Sequence, residues 1–365
     1  MRLNVFHAYF PPAVKAGGPP RSLQALCEAL DNAVDIRVFC SGKDLDGSSL
    51  PVVTNQFVKP VENKKYQVCY SPKVFKLIRE ILGADCSYVN GIYSLPYNLM
   101  PLLFAGGKRV LSVRGMLAPQ ALEKKKLKKR LYLFLLKGII RLRPVVFHAT
   151  SRLEETDIRR VFGNSARCYL IPNLSGFSGK PQLTERTGTL KLGTIALISP
   201  MKNHLRVLEA IEMLDGELEY HIWGTVMDAD YWQTCQEKIA QLPDGVKVFY
   251  HGHCLHEEIA GNLAQLHVVV QPSESENFGH SLVEALVMGR PIITSHHTPW
   301  NELAENKAGI NVNVEASEIA GAIAFFRAMN ATELMGWGKG AMAYISNRND
   351  DEGYRSNYLK LFGVN

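Results

Sequence analysis

Hydrophobic and polar positions alternate along the chain in blocks that predict a repeating strand–loop–helix order. Leu3 to Tyr9 reads as a buried strand, and the Pro/Gly loop after it holds Pro11, Pro12, Gly17, Gly18, Pro19 and Pro20. The helix that follows places Leu23, Leu26, Cys27 and Leu30 on one face, and Ile36 to Cys40 reads as a second strand. This order opens a parallel α/β unit. Ser87 to Asn90, Arg109 to Val113 and Val145 to Ala149 continue as short strands, and a helix is expected from Ser151 with Glu154 at the capping-box position.

The pattern then pauses and restarts. Ile171-Pro172-Asn173 closes the first half, and the polar stretch from Ser175 to Gly188 reads as a linker. Strands are predicted at Leu190 to Leu197, Leu218 to Trp223, Val246 to His251, His267 to Gln271 and Pro291 to Ser295. Helices are predicted at Asn203 to Leu214, Glu257 to Leu266 and Gly279 to Met288. Two α/β sets of similar size predict two Rossmann-like domains facing each other across a cleft. Residues 1–172 form the first and 173–349 the second. Ligands in such sheets bind beyond the carboxyl ends of the strands.

Composition narrows this picture. The chain has 365 residues, too many for one ordinary core, and 46% are hydrophobic. A net charge of +6 suits an anionic substrate or an anionic membrane surface, and no finger or RNA-binding strand motif argues for nucleic acid. Seven cysteines stand singly with no CxxC pair, the usage of a reducing, cytoplasmic compartment. The N-terminus does not read as a signal peptide. The longest apolar run, Leu131 to Ile140, is short and contains Lys137, so no spanning segment is expected.

Most of the chemistry lies between Ser273 and Leu286. Glu276 is placed in the loop after the Val268-Val269-Val270 strand, and Glu284 about two turns into the next helix, which Gly289 and Pro291 end. A helix N-terminus near Gly279 offers free amides and a positive dipole end to a diphosphate. A carboxylate accepts hydrogen bonds from two neighbouring hydroxyls of a sugar or ribose. Two glutamates at this spacing are ordinarily only solvated positions on a surface helix. Here the strand, the Asn277-Phe278-Gly279 turn and the Gly289-Arg290-Pro291 exit agree with a nucleotide-sugar site.

At these residues the chain resembles family four of the retaining glycosyltransferases, which share the two-domain GT-B fold. The resemblance also covers Gly17-Gly18, Arg114-Gly115-Met116-Leu117, His148-Ala149-Thr150-Ser151, Ile171-Pro172-Asn173, Ser199 to Asn203 and Thr298-Pro299-Trp300. Arg-Gly-Met-Leu and Thr-Pro-Trp point to the bacterial branch that builds cell-surface polysaccharides, including O-antigen, capsule and exopolysaccharide. The resemblance implies that the second domain binds a nucleoside diphosphate sugar and the first an acceptor. It implies that Glu276 binds donor-sugar hydroxyls with the backbone of Asn277, Phe278 and Gly279, that Glu284 binds the ribose, and that no metal or other cofactor takes part. It also implies that a helix at about 350–365 returns to the first domain.

Gly17 and Gly18 let backbone amides approach a phosphate, although a Gly pair in such a loop is often just a turn. Lys202 is expected to neutralise the leaving diphosphate. The family usually places an arginine five residues before this lysine. Here that residue is Leu197, which cannot replace a guanidinium, so a catalytically weak or inactive scaffold subunit is the alternative reading. Arg114 stands where many relatives carry a histidine near the donor sugar; it reads either as a core-edge salt bridge or as a phosphate or acceptor contact. Residues 123–143 are basic and amphipathic. They read as a solvated helix, or as peripheral docking on an anionic membrane that holds a lipid-linked acceptor. Asp44-Leu45-Asp46 and Asp228-Ala229-Asp230 read as loop acids, and no histidine spacing suits a metal. Nucleobase choice is expected in the loops at Trp223 to Val226 and His253 to Leu255.

Overall fold

The structure is a computed structural model and describes residues 1–123, 126–177, 179–348 and 350–364. It divides into two compact units, Met1–Gly176 with Asp351–Asn365, and Phe177–Asp350.

The first unit begins β1 (Arg2–Phe6), α1 (Gly18–Leu30), β2 (Asp35–Cys40), β3 (Phe57–Val58), β4 (Gln67–Tyr70), α2 (Val74–Leu82) and β5 (Cys86–Asn90). It continues α3 (Met100–Phe104), β6 (Lys108–Ser112), α4 (Pro119–Glu123), α5 (Lys126–Leu142), β7 (Val146–Ala149), α6 (Arg152–Phe162) and β8 (Cys168–Leu170). The sheet order is β3-β4-β2-β1-β5-β6-β7-β8, parallel except for β3. Side chains alternate across it with the strand period of two. Val5, Val38, Tyr88 and Val110 face one core with α1, whereas Phe6, Phe39, Val89 and Leu111 face the other.

The second unit runs β9 (Leu190–Ile195), α7 (His204–Glu212), β10 (Leu218–Trp223), α8 (Ala229–Ile239), β11 (Val246–Tyr250), α9 (Ile259–Ala264) and β12 (Val268–Gln271). It ends α10 (His280–Val287), β13 (Ile292–Ser295), β14 (Gly309–Val312), α11 (Ala316–Arg327) and α12 (Ala331–Arg348). Its sheet is parallel throughout, in the order β11-β10-β9-β12-β13-β14. Strands buried on both faces read as continuous apolar runs, as Val268-Val269-Val270 does. A last helix, α13 (Asp351–Phe362), packs in the first unit, where Tyr358, Leu361 and Phe362 join the core beneath α1.

Several local expectations need correction. Gly18 is not a loop residue but the first residue of α1, with Gly17 at its N-cap. Ser151 caps α6 by accepting from the Glu154 amide, but the Glu154 carboxylate does not complete a capping box. It turns inward instead, to the amides of Thr150 (2.6 Å) and Gly115 (2.7 Å) and the Thr150 hydroxyl (2.8 Å). Asp228 is the N-cap of α8 and Asp230 lies in its first turn, so that pair belongs to a helix start rather than a loop. The helix expected over Glu257 to Leu266 divides into a 3-10 turn, His256–Glu258, and the shorter α9.

The seven cysteines are free thiols, six of them buried. No helix among the described residues is long and apolar enough to cross a membrane. Among the same residues no group of three His, Cys, Asp or Glu is placed to hold a metal. Lys124 and Lys125, part of the basic stretch, lie outside the described residues.

Candidate nucleotide-sugar site

The second sheet reverses direction between β9 and β12. From β9 the chain adds β10 and β11 on one side; it then returns to pair β12 on the other side and continues to β13. Adjacent strands whose crossovers leave in opposite directions open a crevice at their carboxyl ends. The loops after β9 and β12 carry Lys202 and Glu276 to this point, and the Lys202 ammonium donates to Glu276 Oε1. The same oxygen accepts from Gln271 Nε2 at 2.8 Å and from the Ser273 hydroxyl at 3.0 Å. Both partners keep a small exposed fraction, 20% for Lys202 and 12% for Glu276, so the pair borders solvent.

Gln271 organises this corner and was not singled out from the sequence. It ends β12, is buried, and accepts from the Ser281 hydroxyl in the first turn of α10 at 2.7 Å. One amide therefore ties the strand, the Glu276 loop and the next helix together. The available signal was a lone amide ending a run of three valines. Asn203 supports the other side. Its left-handed backbone (φ 57°) turns the chain into α7, and its side-chain amide donates to Pro272 O and to Glu274.

Gly279 is the N-cap of α10, with φ 74° and no side-chain cap. A Cβ at Gly279 would lie 3.0 Å from Leu282 Cδ1, so space and conformation both favour glycine. Asn277 is half-buried in the approaching loop, and the Phe278 ring is buried against Trp300 at 5.7 Å. Trp300 Nε1 donates to Phe278 O at 2.5 Å, which gives the Thr298-Pro299-Trp300 motif a bracing role. Glu284 is buried in α10, with His256 Nδ1 4.0 Å from its carboxylate. Leu197 is half-buried just beyond β9. The loops expected to read the base follow β10 and β11, where Thr225 Oγ1 and His253 Nδ1 are 3.1 Å apart.

The first unit has its own polar cluster at strand ends. Its sheet switches direction between β1 and β5. Gly17 (φ 75°) lies beyond β1. Since Pro19 and Pro20 lack N–H groups, the first turn of α1 offers fewer amides than an ordinary helix start.

Arg114, left-handed at φ 52°, follows β6. Its Nε donates to Asn90 Oδ1 at 2.8 Å, one terminal nitrogen to Asn173 Oδ1, and the other to the Tyr88 hydroxyl at 3.2 Å. All three partners are neutral, and no carboxylate among the described residues pairs with the guanidinium. His148 Nε2 donates to Ile171 O at 2.8 Å, so its Nδ1 accepts from Tyr88 at 2.7 Å. Burial, then the nearby Arg114 charge, lowers the His148 pKa to about 3; burial likewise lowers that of His7 to about 4. Arg114 is therefore a cation beside two neutral histidines.

Comparison with known proteins supplies the context. Residues 179–334 match the family model Glycosyl transferases group 1. Curated protein sequences give no match. Sucrose-phosphate synthase from Thermosynechococcus elongatus superposes with a TM-score of 0.76 at 17% identity, covering 99% of this chain and 98% of that one. HepE from Anabaena, in complex with UDP and glucose, gives 0.74 at 18% identity with the same coverage. WaaG, a glycosyltransferase involved in lipopolysaccharide biosynthesis, gives 0.68 at 12% identity with 100% of both chains covered. At these identities the structural likeness establishes the fold.

Proposed function

We propose that this chain, which has the GT-B fold and whose residues 179–334 match the group 1 glycosyltransferase model, transfers a hexose or N-acetylhexosamine from a nucleoside diphosphate sugar with retention at the anomeric carbon. The observation that carries this reading is the meeting of Lys202, Glu276 and Gln271 beside the uncapped start of α10.

The chemistry follows from charge. The bond from the anomeric carbon to the phosphate oxygen breaks, and both electrons leave with the diphosphate. Lys202 and the amides at the start of α10 stabilise that growing negative charge. Glu276 holds donor hydroxyls with the oxygen that Lys202 and Gln271 do not occupy, and Glu284 takes the ribose. Asn277, Phe278 and Gly279 bring the loop backbone to the sugar. The acceptor hydroxyl attacks from the side the diphosphate leaves, and its proton passes to a phosphate oxygen. Gly17 and Gly18 offer further amides to phosphate. Arg114, a cation whose partners among the described residues are neutral, is suited to an anionic group of donor or acceptor.

The acceptor we propose is a saccharide, lipid-linked, in O-antigen, capsule or exopolysaccharide assembly at the cytoplasmic face of a membrane. The resemblance of Arg114 to Leu117 and of Thr298 to Trp300 to the bacterial branch supports this.

A thermal-shift screen of UDP, GDP and their sugars tests the donor, since a ligand that binds only the folded state raises its apparent stability. UDP is the first to try, being the nucleotide bound in the HepE structure. An anomeric assignment of the product tests retention. Failure of every nucleotide to shift the transition of the second unit would overturn the reading.

A further inference from the structure

α2, α3 and α5 lie side by side over one face of the first sheet. Their inward residues, Leu77 and Ile81 of α2, Leu102 of α3, and Leu133 and Leu136 of α5, share one core with Phe6, Phe39 and Leu111. Their outward residues should then be polar, as on an ordinary surface helix. Many are apolar instead. On α5 the exposed positions Leu127, Leu131, Phe134, Leu135 and Leu142 follow helical spacing and make a second apolar stripe opposite the buried one. α2 adds Phe75, 90% exposed, and Leu82, while α3 adds Phe104.

The exposed charged side chains described on these three helices are all cations. Lys128, Arg130, Lys137 and Arg141 are exposed on α5, a helix whose sequence contains no Asp or Glu. α2 brings exposed Arg79, and its acid, Glu80, is buried, 2.8 Å from Arg37 and 3.5 Å from Arg79. Apolar side chains ringed by cations on neighbouring helices match an anionic bilayer, whose interface accepts the apolar groups and whose headgroups meet the charges.

We infer that α2, α3 and α5 together form a membrane-docking face, on which the first unit lies flat against anionic lipid. The sequence pointed only to residues 123–143; the fold adds Phe75, Leu82 and Phe104 from segments far away in the chain. This face deepens the proposed use of a lipid-linked acceptor and rests on that reading for its purpose, though not for its measurement.

The test is co-sedimentation of the full chain with phosphatidylglycerol/phosphatidylcholine vesicles, without nucleotide or acceptor. Binding is expected at low salt, weakened by high salt and by vesicles of phosphatidylcholine alone. Phe134→Ser and Phe75→Ser each change an exposed residue, and each is expected to lower the partition coefficient by about tenfold. Absence of binding at low salt, or equal binding to neutral vesicles, overturns the proposal. Unchanged binding of Phe75→Ser removes α2 from the face and refutes the three-helix surface. A dimer that Phe134→Ser dissociates, with no vesicle binding by the wild type, would show a self-interface instead. UDP thermal shift on the same samples separates the two readings: docking without nucleotide binding refutes the donor site alone, and the reverse refutes the docking face alone.

Discussion

His204 offers a measurement that joins burial to acid stability. It is the first residue of α7 and fully buried, and neither ring nitrogen has a hydrogen-bond partner among the described residues. Burial, then the nearby Lys202 charge, lowers its pKa to about 3. Replacing it by leucine keeps a similar volume and removes an unpartnered polar ring. At pH 7 the variant should be more stable by about 1–3 kcal/mol, the usual cost of burying such a group.

Acid adds a second term. The folded pKa lies below the unfolded one, so the unfolded chain takes the proton first. Stability is intact above about pH 6.5 and is lost as pH falls toward 3. Between pH 7 and pH 5 this linkage costs about 2 kcal/mol for one such histidine. His204→Leu should therefore exceed the wild type by about 3–5 kcal/mol at pH 5. A residual slope will remain from His267, whose pKa burial lowers to about 4. The four tryptophans, Trp223, Trp232, Trp300 and Trp337, all lie in the second unit, so urea denaturation followed by their fluorescence reports that unit. A His204→Leu variant less stable than wild type, or one with an unchanged pH slope, would refute the reasoning.

Other expectations follow from the candidate site. Lys202→Met removes the charged donor to Glu276 and should lower turnover by about 10²–10³-fold, the range for one donor to a developing anion, in a steady-state transfer assay. Gln271→Leu should reduce turnover while costing about 1–3 kcal/mol in denaturation, because it unpairs Ser281 and takes one donor from Glu276. Gly279→Ala, at φ 74° and close to Leu282, should lose about 1–2 kcal/mol of stability and weaken the UDP thermal shift. A chelator is expected to leave turnover unchanged; loss restored by a divalent cation would contradict metal-independent transfer.

The period-2 and helical patterns determined the α/β class and much of the strand order along the chain. Local apolar pattern and turn chemistry act over a few residues and need no knowledge of the rest of the chain. The same locality put Glu276 in a loop and Glu284 in a helix, which the structure repeats. It was silent for β3, β4, α2 and α3, whose short runs between residues 41 and 105 carry weak periodicity. It also misplaced the Glu154 carboxylate, because a capping position is read from spacing, whereas its partner, the Gly115 amide, arrives from another strand end.

Pairings across distant segments were decided only by tertiary structure. Lys202 and Glu276 are separate signals in the sequence and become one ion pair because β12 returns to β9 at the reversal of the second sheet. Gln271 gains its role only once Glu276 and Ser281 converge on it. In the first unit, Arg114 reaches Asn90 and Asn173 from three strand ends that no spacing rule connects. A residue's type and its local element can be written in the neighbouring sequence. Which groups it meets depends on which strands pair, and pairing is set by the burial of the whole sheet.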